Sequence, residues 1–206
     1  LFVNVESKLI IMKKMVLKYR NYIFLLALPL LSGCGYNSMV QKEETVTSQW
    51  AQVQNVYQRR ADLIPNLVNT VKGYANFEKS TLTEVIEARS KATSVNIDAS
   101  KLDDKSIKAF QQAQDGLKSS LSRLLVVAEQ YPDLKANKNF LELQAQLEGT
   151  ENRITVERMK FNDATMDFNA FIRKFPQIMF AKMFGFKEKP YFQATAEAEK
   201  VPEVKF

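Results

Sequence analysis

The sequence predicts an all-α fold: an antiparallel up-and-down four-helix bundle with long helices and a C-terminal aromatic tail packing back on it. Three observations lead there. Apolar residues recur at alternating three- and four-residue steps over long stretches, the signature of helices that bury one stripe. Glycine and proline are scarce, six of each in 206 residues, against abundant Ala, Leu, Lys, Glu and Gln, which favours helix over a turn-rich β architecture. Polar, proline-bearing stretches punctuate the periodicity at places that suit helix corners.

The chain opens with an export-type segment. "MKKMVLKYRNYIFLLALPLLSGCG" has basic residues, an apolar run from Tyr22 to Leu31, and small residues before Cys34. The run is short for an ordinary spanning helix. "LSGC" resembles a bacterial lipobox, which makes residues 1–33 a signal peptide and Cys34 the lipid-bearing first residue of the mature protein. A retained membrane anchor is the alternative. Residues before Met12 or Met15 are expected not to be translated.

The mature part, 34–206, divides by period into four helices and a tail. The first, over 37–61, carries Met39, Val46, Trp50, Val53 and Tyr57 on one stripe. Pro65 is assigned to the start of the second helix, 65–95. A proline costs about 3 kcal/mol in a helix interior and little at the first position, and an unbroken helix over 37–95 would be roughly 90 Å long. The second helix continues with Leu67, Val71, Tyr74, Leu82 and Val85. The third, 103–130, aligns Ile107, Phe110, Leu117, Leu121, Leu124 and Ala128, interrupted by Gln114. The fourth, 138–175, places Phe140, Leu147, Ile154, Phe161, Phe168 and Phe175 seven apart. Gly73, Gly116 and Gly149 fall inside these helices at about 1 kcal/mol each relative to alanine, which close helix approach or simple tolerance explains. In the tail, 176–206, Phe180, Phe184, Phe186, Tyr191, Phe192 and Phe206 alternate with lysines and suit either the bundle base or a membrane interface.

Charge and composition exclude several function classes. The formal charge is +6, but residues 1–33 hold five of the 29 basic residues and one of the 23 acidic ones, leaving 24 against 22 in the rest. No nucleic-acid surface is expected. There is no histidine and a single cysteine, so Ser-His-Asp and Cys-His sites and the usual zinc sites are excluded. No Ca²⁺ loop or phosphate-binding glycine pattern occurs. Neither a metal nor a cofactor is expected, and catalysis is not.

Two candidate sites remain. With helices alternating from the anchor, "RRADLIPN" and "YPDLKAN" share the membrane-distal tip, gathering Arg59, Arg60, Asp62, Asn66, Tyr131, Asp133, Lys135 and Asn137. Helix capping, with Asp62 before Pro65 and Asp133 or Asn137 before the fourth helix, is one role; a recognition surface for another envelope protein is the other. Arg60, Glu78, Gln114, Glu151 and Arg158 interrupt the apolar stripes at similar depths and are expected to meet in a buried polar layer that fixes helix register; a small-ligand pocket is the alternative.

"YQRRADLIPNLVNTVKGYA", "YPDLKANKNFLELQAQLEGTENRI", "FNDATMDFNAFIRKFP" and the tail from "GFKEKPYFQ" onward resemble, in order, the blocks of the LemA (LemA/MamQ) family of bacterial envelope proteins. The resemblance covers nearly all of the mature chain. It implies a helical bundle tethered to the membrane by its N-terminus, with no established enzymatic activity. Relatives associated with envelope membrane proteins and with magnetosome formation point to scaffolding. The implied function is therefore a membrane-anchored, non-catalytic envelope lipoprotein, extracytoplasmic, acting as scaffold or adaptor; a bundle that holds a lipid or other small ligand is the alternative. Phe77 stands where many members carry histidine, Phe161 where they carry tyrosine, and "LSGC" where they commonly have a spanning helix. In a Gram-negative source, Gly35 after the cysteine leans toward outer-membrane delivery.

Overall fold

The computed structural model describes residues 3–74 and 78–193, and among these residues the regular structure is entirely helical. The elements are α1 (Val3–Lys72), α2 (Lys79–Ser94), a 3-10 turn (Ala99–Lys101), α3 (Asp104–Ala128), α4 (Pro132–Lys135), α5 (Lys138–Arg173) and α6 (Gln177–Phe184). The apolar run Tyr22–Leu31 and Cys34 lie within the span of α1, but their side chains are outside the described residues, as are Phe77 and the tail beyond Gln193 with Phe206. Among the described residues no helix is long and apolar enough to cross a membrane.

α1 and α5 run antiparallel. Lys42 pairs with Asp167 toward one end, Gln49 donates to Glu157 and Arg60 to Glu151 along the way, and Asn137 Nδ2 donates to the Tyr74 hydroxyl at the other end. α2 and α3 form a second antiparallel pair, tied by Arg123 to Glu84 at 2.9 Å and by Gln114 Nε2 to the Ala92 carbonyl at 3.1 Å. Asp103 caps α3 through a reciprocal bond with Ser106, and Asn137 caps α5 by accepting the Phe140 N–H at 3.1 Å.

The corner expected at Pro65 does not exist. α1 continues through it to Lys72, and α2 begins only at Lys79. The physical reason is a replacement donor. A helical proline leaves the carbonyl four residues back without its N–H; here that carbonyl is Ala61, and Arg89 Nε of α2 donates to it at 2.8 Å. Asp62 is consequently no cap but a mid-helix residue, accepting from Gln58 one turn earlier.

Two smaller expectations also fail. A Cβ built on Gly116 or Gly149 would meet nothing within 4 Å, so close helix approach is not their reason. Phe175, the last of the heptad series, lies past the end of α5 and is 81% exposed, because α5 closes at Arg173 and the buried stripe ends with Ile172.

Two apolar clusters fill the interior. One joins Ile64, Leu67, Val71, Leu82, Val85, Leu117, Leu124, Leu134 and Phe140, toward the end where α1 meets α2. The other joins Trp50, Tyr57, Phe110, Phe161, Phe168 and Phe192 toward the opposite end, where the chain after α6 returns as a strap, residues 186–193. Phe192 stacks on Trp50 with ring centres 5.9 Å apart.

Candidate functional site: a buried arginine layer and a polar tip

Between the two clusters lies Arg60, 3% exposed. Its stem is buried by α1, and its guanidinium reaches both neighbouring helices. Nη2 donates to the Gln114 carbonyl at 3.1 Å and to Gln114 Oε1 at 2.7 Å, and Nη1 donates to Glu151 Oε2 at 3.0 Å. Gln114 passes the connection to α2 through its bond to Ala92, and Lys118 holds the other oxygen of Glu151 at 2.8 Å. The guanidinium carbon sits 5.1 Å from the centre of the Tyr57 ring, and Nε alone is left without a partner. One side chain thus links α1, α3 and α5 directly and α2 through Gln114.

The electrostatics follow from this geometry. Burial raises the Glu151 carboxyl, but the Lys118 hydrogen bond and the Arg60 charge outweigh it and leave the carboxyl below its ordinary value. Asp115, the residue after Gln114, is raised by burial despite Arg158, Lys118 and Arg60. Tyr57 is raised, again chiefly by burial. A fixed, paired cation among neutral and compensated partners joins helices; it presents no free base or nucleophile.

The expected layer is therefore partly reassigned. Arg60, Gln114 and Glu151 meet. Glu78 does not: it is exposed at the start of α2, where its carboxylate takes the Ser80 and Thr81 hydroxyls. With α1 running on to Lys72 and α2 beginning at Lys79, Glu78 stands at the end of the helices rather than at the depth of Gln114. Arg158 lies lower on α5, with its guanidinium 4.7 Å from the centre of the Phe192 ring and Nη2 bonded to the Gln193 carbonyl.

The tip is likewise redrawn. The Tyr74 hydroxyl receives Asn137 Nδ2 at 2.9 Å and lies 3.5 Å from the Asp133 carbonyl, so the corner after α1 meets the α3–α5 connection. Leu134, fully buried, pins that connection, and Tyr131 packs on the same cluster. Asp133 and Lys135 are exposed there. Arg59 and Asp62 are exposed on the flank of α1, roughly 20 Å below Tyr74. Asn66 lines a groove of about 410 Å³ between α1 and α5 with Leu63, Asn69, Asn139 and Gln146. Arg60 is no tip residue, because it is buried in the layer.

The sequence reading missed a second set of polar contacts, which hold the strap. Asn169 Oδ1 accepts the Lys189 N–H and Nδ2 donates to the Lys189 carbonyl, both at 2.8 Å; Asn162 does the same to Phe192 at 2.9 and 3.1 Å. Their signal was the seven-residue spacing, shared with Phe161 and Phe168 beside them.

Fold and site together define an all-helical protein whose coupled charges join helices to one another. The chain belongs to the LemA family, whose sequence pattern matches residues 49–206. It is similar to the magnetosome protein MamQ 2 of Paramagnetospirillum magneticum, 27% identical in an alignment that covers 77% of this chain and 64% of that protein. It is similar also to the magnetosome protein MamQ of Magnetospirillum gryphiswaldense, 26% identical over 76% of this chain and 64% of that protein. Protein LemA of Metamycoplasma hominis is 26% identical over 80% of this chain and 71% of that protein. The chain thus spans less than two thirds of the length of the MamQ proteins.

Proposed function

We propose that this LemA-family chain is a non-catalytic, membrane-anchored envelope lipoprotein that presents the tip around Asp133 and Lys135 to other envelope proteins as a scaffold or adaptor. In this reading residues 1–33 are the signal peptide, Cys34 carries the lipid, and 34–206 form an extracytoplasmic up-and-down four-helix bundle. The observation that carries it is the bonded tip: the Tyr74 hydroxyl ties the end of α1 to Asn137 and the Asp133 carbonyl at the end opposite Tyr36, with charged side chains outward. A rigid, charged surface held away from the anchor suits recognition better than chemistry. The family's association with magnetosome proteins agrees with an assembly role.

Crosslinking capture from solubilised membranes tests the tip. Reversing both charges, Asp133→Lys with Lys135→Glu, is expected to remove a specific crosslinked protein that the parent captures; the same partner at the same yield ends the assignment. Radioactive palmitate tests the anchor separately, since label that persists in Cys34→Ser rules it out.

The rival reading, a small-ligand module, is favoured by a cavity of about 300 Å³ beside the arginine layer, lined by Gln54, Tyr57, Gln58, Asn96, Phe110 and Gln114. It is at the small end for ligand sites and amide-rich, which suits a compact polar molecule rather than a diacyl lipid. Native mass spectrometry showing a retained small molecule, lost in Gln114→Leu, supports this reading; a bare chain removes it.

A further inference from the structure

α6 turns an apolar side to solvent at the end where α1 leaves the bundle. Ala181 is buried and Phe180 packs on the core, while Ile178, Met179 and Met183 are exposed on the outer side together with Lys182. Met183 is 66% exposed, and Phe175 just before the helix 81%. Phe184 sets its ring 4.9 Å from that of Tyr36, which places the patch beside α1 immediately after the apolar run Tyr22–Leu31. A solvated helix face would ordinarily be polar; this one is apolar around a lysine.

Its charge has one sign. From Arg173 to Lys187 the chain carries Arg173, Lys174, Lys182 and Lys187 and no acidic residue. Of the carboxylates around it, Asp167 is engaged with Lys42 and Glu43 with Lys189, Glu188 stands 3.8 Å from Arg173, and Asp103 and Asp104 share a cavity with Gly185 and Lys187, which leaves Lys174 and Lys182 as the cations on the open side.

We infer that α6 is an interfacial helix that lies on an anionic bilayer. Ile178, Met179, Met183 and Phe175 enter the boundary of the acyl region, and Lys174 and Lys182 meet lipid phosphates. The inference rests on the proposed N-terminal attachment, which brings Tyr36, and with it Phe184, to the membrane surface. A basic rim around an apolar face beside the anchor fits lipid headgroups better than a second copy of the same cationic patch, which would repel it.

The test uses the full chain purified from membranes with Cys34 intact, whose lipid thioether would leave no free thiol there, and one new cysteine, either Met183→Cys or Met159→Cys, labelled with an environment-sensitive fluorophore. Met159 is 59% exposed on α5, roughly 20 Å from its C-terminal end, and serves as the solvent control. In phosphatidylglycerol vesicles the position-183 label is expected to shift to the blue and to be quenched by headgroup-level nitroxide lipid several-fold more than the label at 159. Lys174→Glu with Lys182→Glu, or vesicles of phosphatidylcholine alone, is expected to abolish most of that difference. Flotation of the vesicles reports attachment independently. A chain that floats with both labels equally unquenched overturns the α6 assignment and leaves the anchor standing. A chain that does not float overturns both. A blue shift that rises with protein concentration and needs no lipid assigns the face to self-association and overturns the proposal.

Discussion

The two halves of the interior are built differently. Toward the tip, α1, α2, α3 and α5 surround a cluster that is almost wholly aliphatic, with Phe140 its one buried aromatic residue among the described residues. Toward the base, α2 has ended, and its place is taken by the segment around Ile97 and Leu102 and by the strap, over a cluster of Trp50, Tyr57, Phe110, Phe161, Phe168 and Phe192. A helix satisfies its own main chain, so the tip half needs from its side chains only a close-packed apolar stripe. An extended cover exposes N–H and C=O groups that must find partners. The base supplies them individually: Asn162 and Asn169 to the strap, and Trp50 Nε1 with Gln54 Nε2 to the Ile97 carbonyl, each at 3.1 Å. Large rings close the wider gaps that an irregular cover leaves.

The sharpest break in this comparison is Phe161→Ala. The ring is fully buried and packs edge-on to Trp50 at 5.6 Å and to Phe192 at 5.4 Å. Its loss is expected to cost about 3–5 kcal/mol, read by urea unfolding with Trp50 fluorescence. The amides of Lys189 and Phe192 should lose hydrogen-exchange protection before those of α3 around Leu121 and Leu124. Equal loss in both places would mean that the halves act as a single unit and that the distinction has no energetic content.

The tip half has one defect in its self-sufficient backbone, at Pro65, and one side chain that repairs it. Arg89→Met removes the donor to Ala61 and is expected to cost about 1–3 kcal/mol for an unpaired buried carbonyl. In a Pro65→Ala background the helix supplies its own N–H, and the same change should cost only a few tenths of a kcal/mol beyond the loss of packing. An identical cost in both backgrounds would show that Arg89 acts by packing alone.

That defect also marks where the sequence was readable and where it was not. The helical class, the buried residues of α3 and a cap at Asp133 or Asn137 follow from period and capping chemistry alone, and the structure gives the cap of α5 to Asn137. The α1–α2 corner was misplaced because Pro65 was judged by its local cost, whereas the compensating donor comes from α2, 24 residues away in sequence. The stronger signal was phase: Val46, Trp50, Val53, Tyr57, Arg60, Ile64, Leu67 and Val71 keep one unbroken four-three alternation across the proline, which a corner would interrupt. The same phase puts Arg60 on the buried stripe. The strap was legible only as aromatic content, since what docks it is main-chain recognition by Asn162 and Asn169, and no periodicity of residues 186–193 encodes that.

The smallest effect tests the boundary between the halves. Glu151 is held below its ordinary value of 4.5, burial opposing and Lys118 and Arg60 prevailing. A depressed carboxyl stabilises the fold above its unfolded value, and the contribution is lost as pH falls through the lower folded value. Glu151→Gln keeps the shape but removes the charge, so the parent should exceed it in stability at neutral pH by at most about 1 kcal/mol, because the side chain is 34% exposed and screened. The gap should narrow once pH falls below 4.5 and close as the parent's carboxyl protonates. Asp115, raised by burial, works in the opposite sense, since its proton uptake in mild acid relieves a cost to the folded state. It is present in both proteins, so the difference between them isolates Glu151 to the extent that the two carboxyls do not influence each other. A gap independent of pH down to about pH 3 would mean that the Glu151 carboxyl titrates alike in the folded and the unfolded chain, so that its charge adds nothing net to the layer, at odds with its 3.0 Å contact to the buried Arg60.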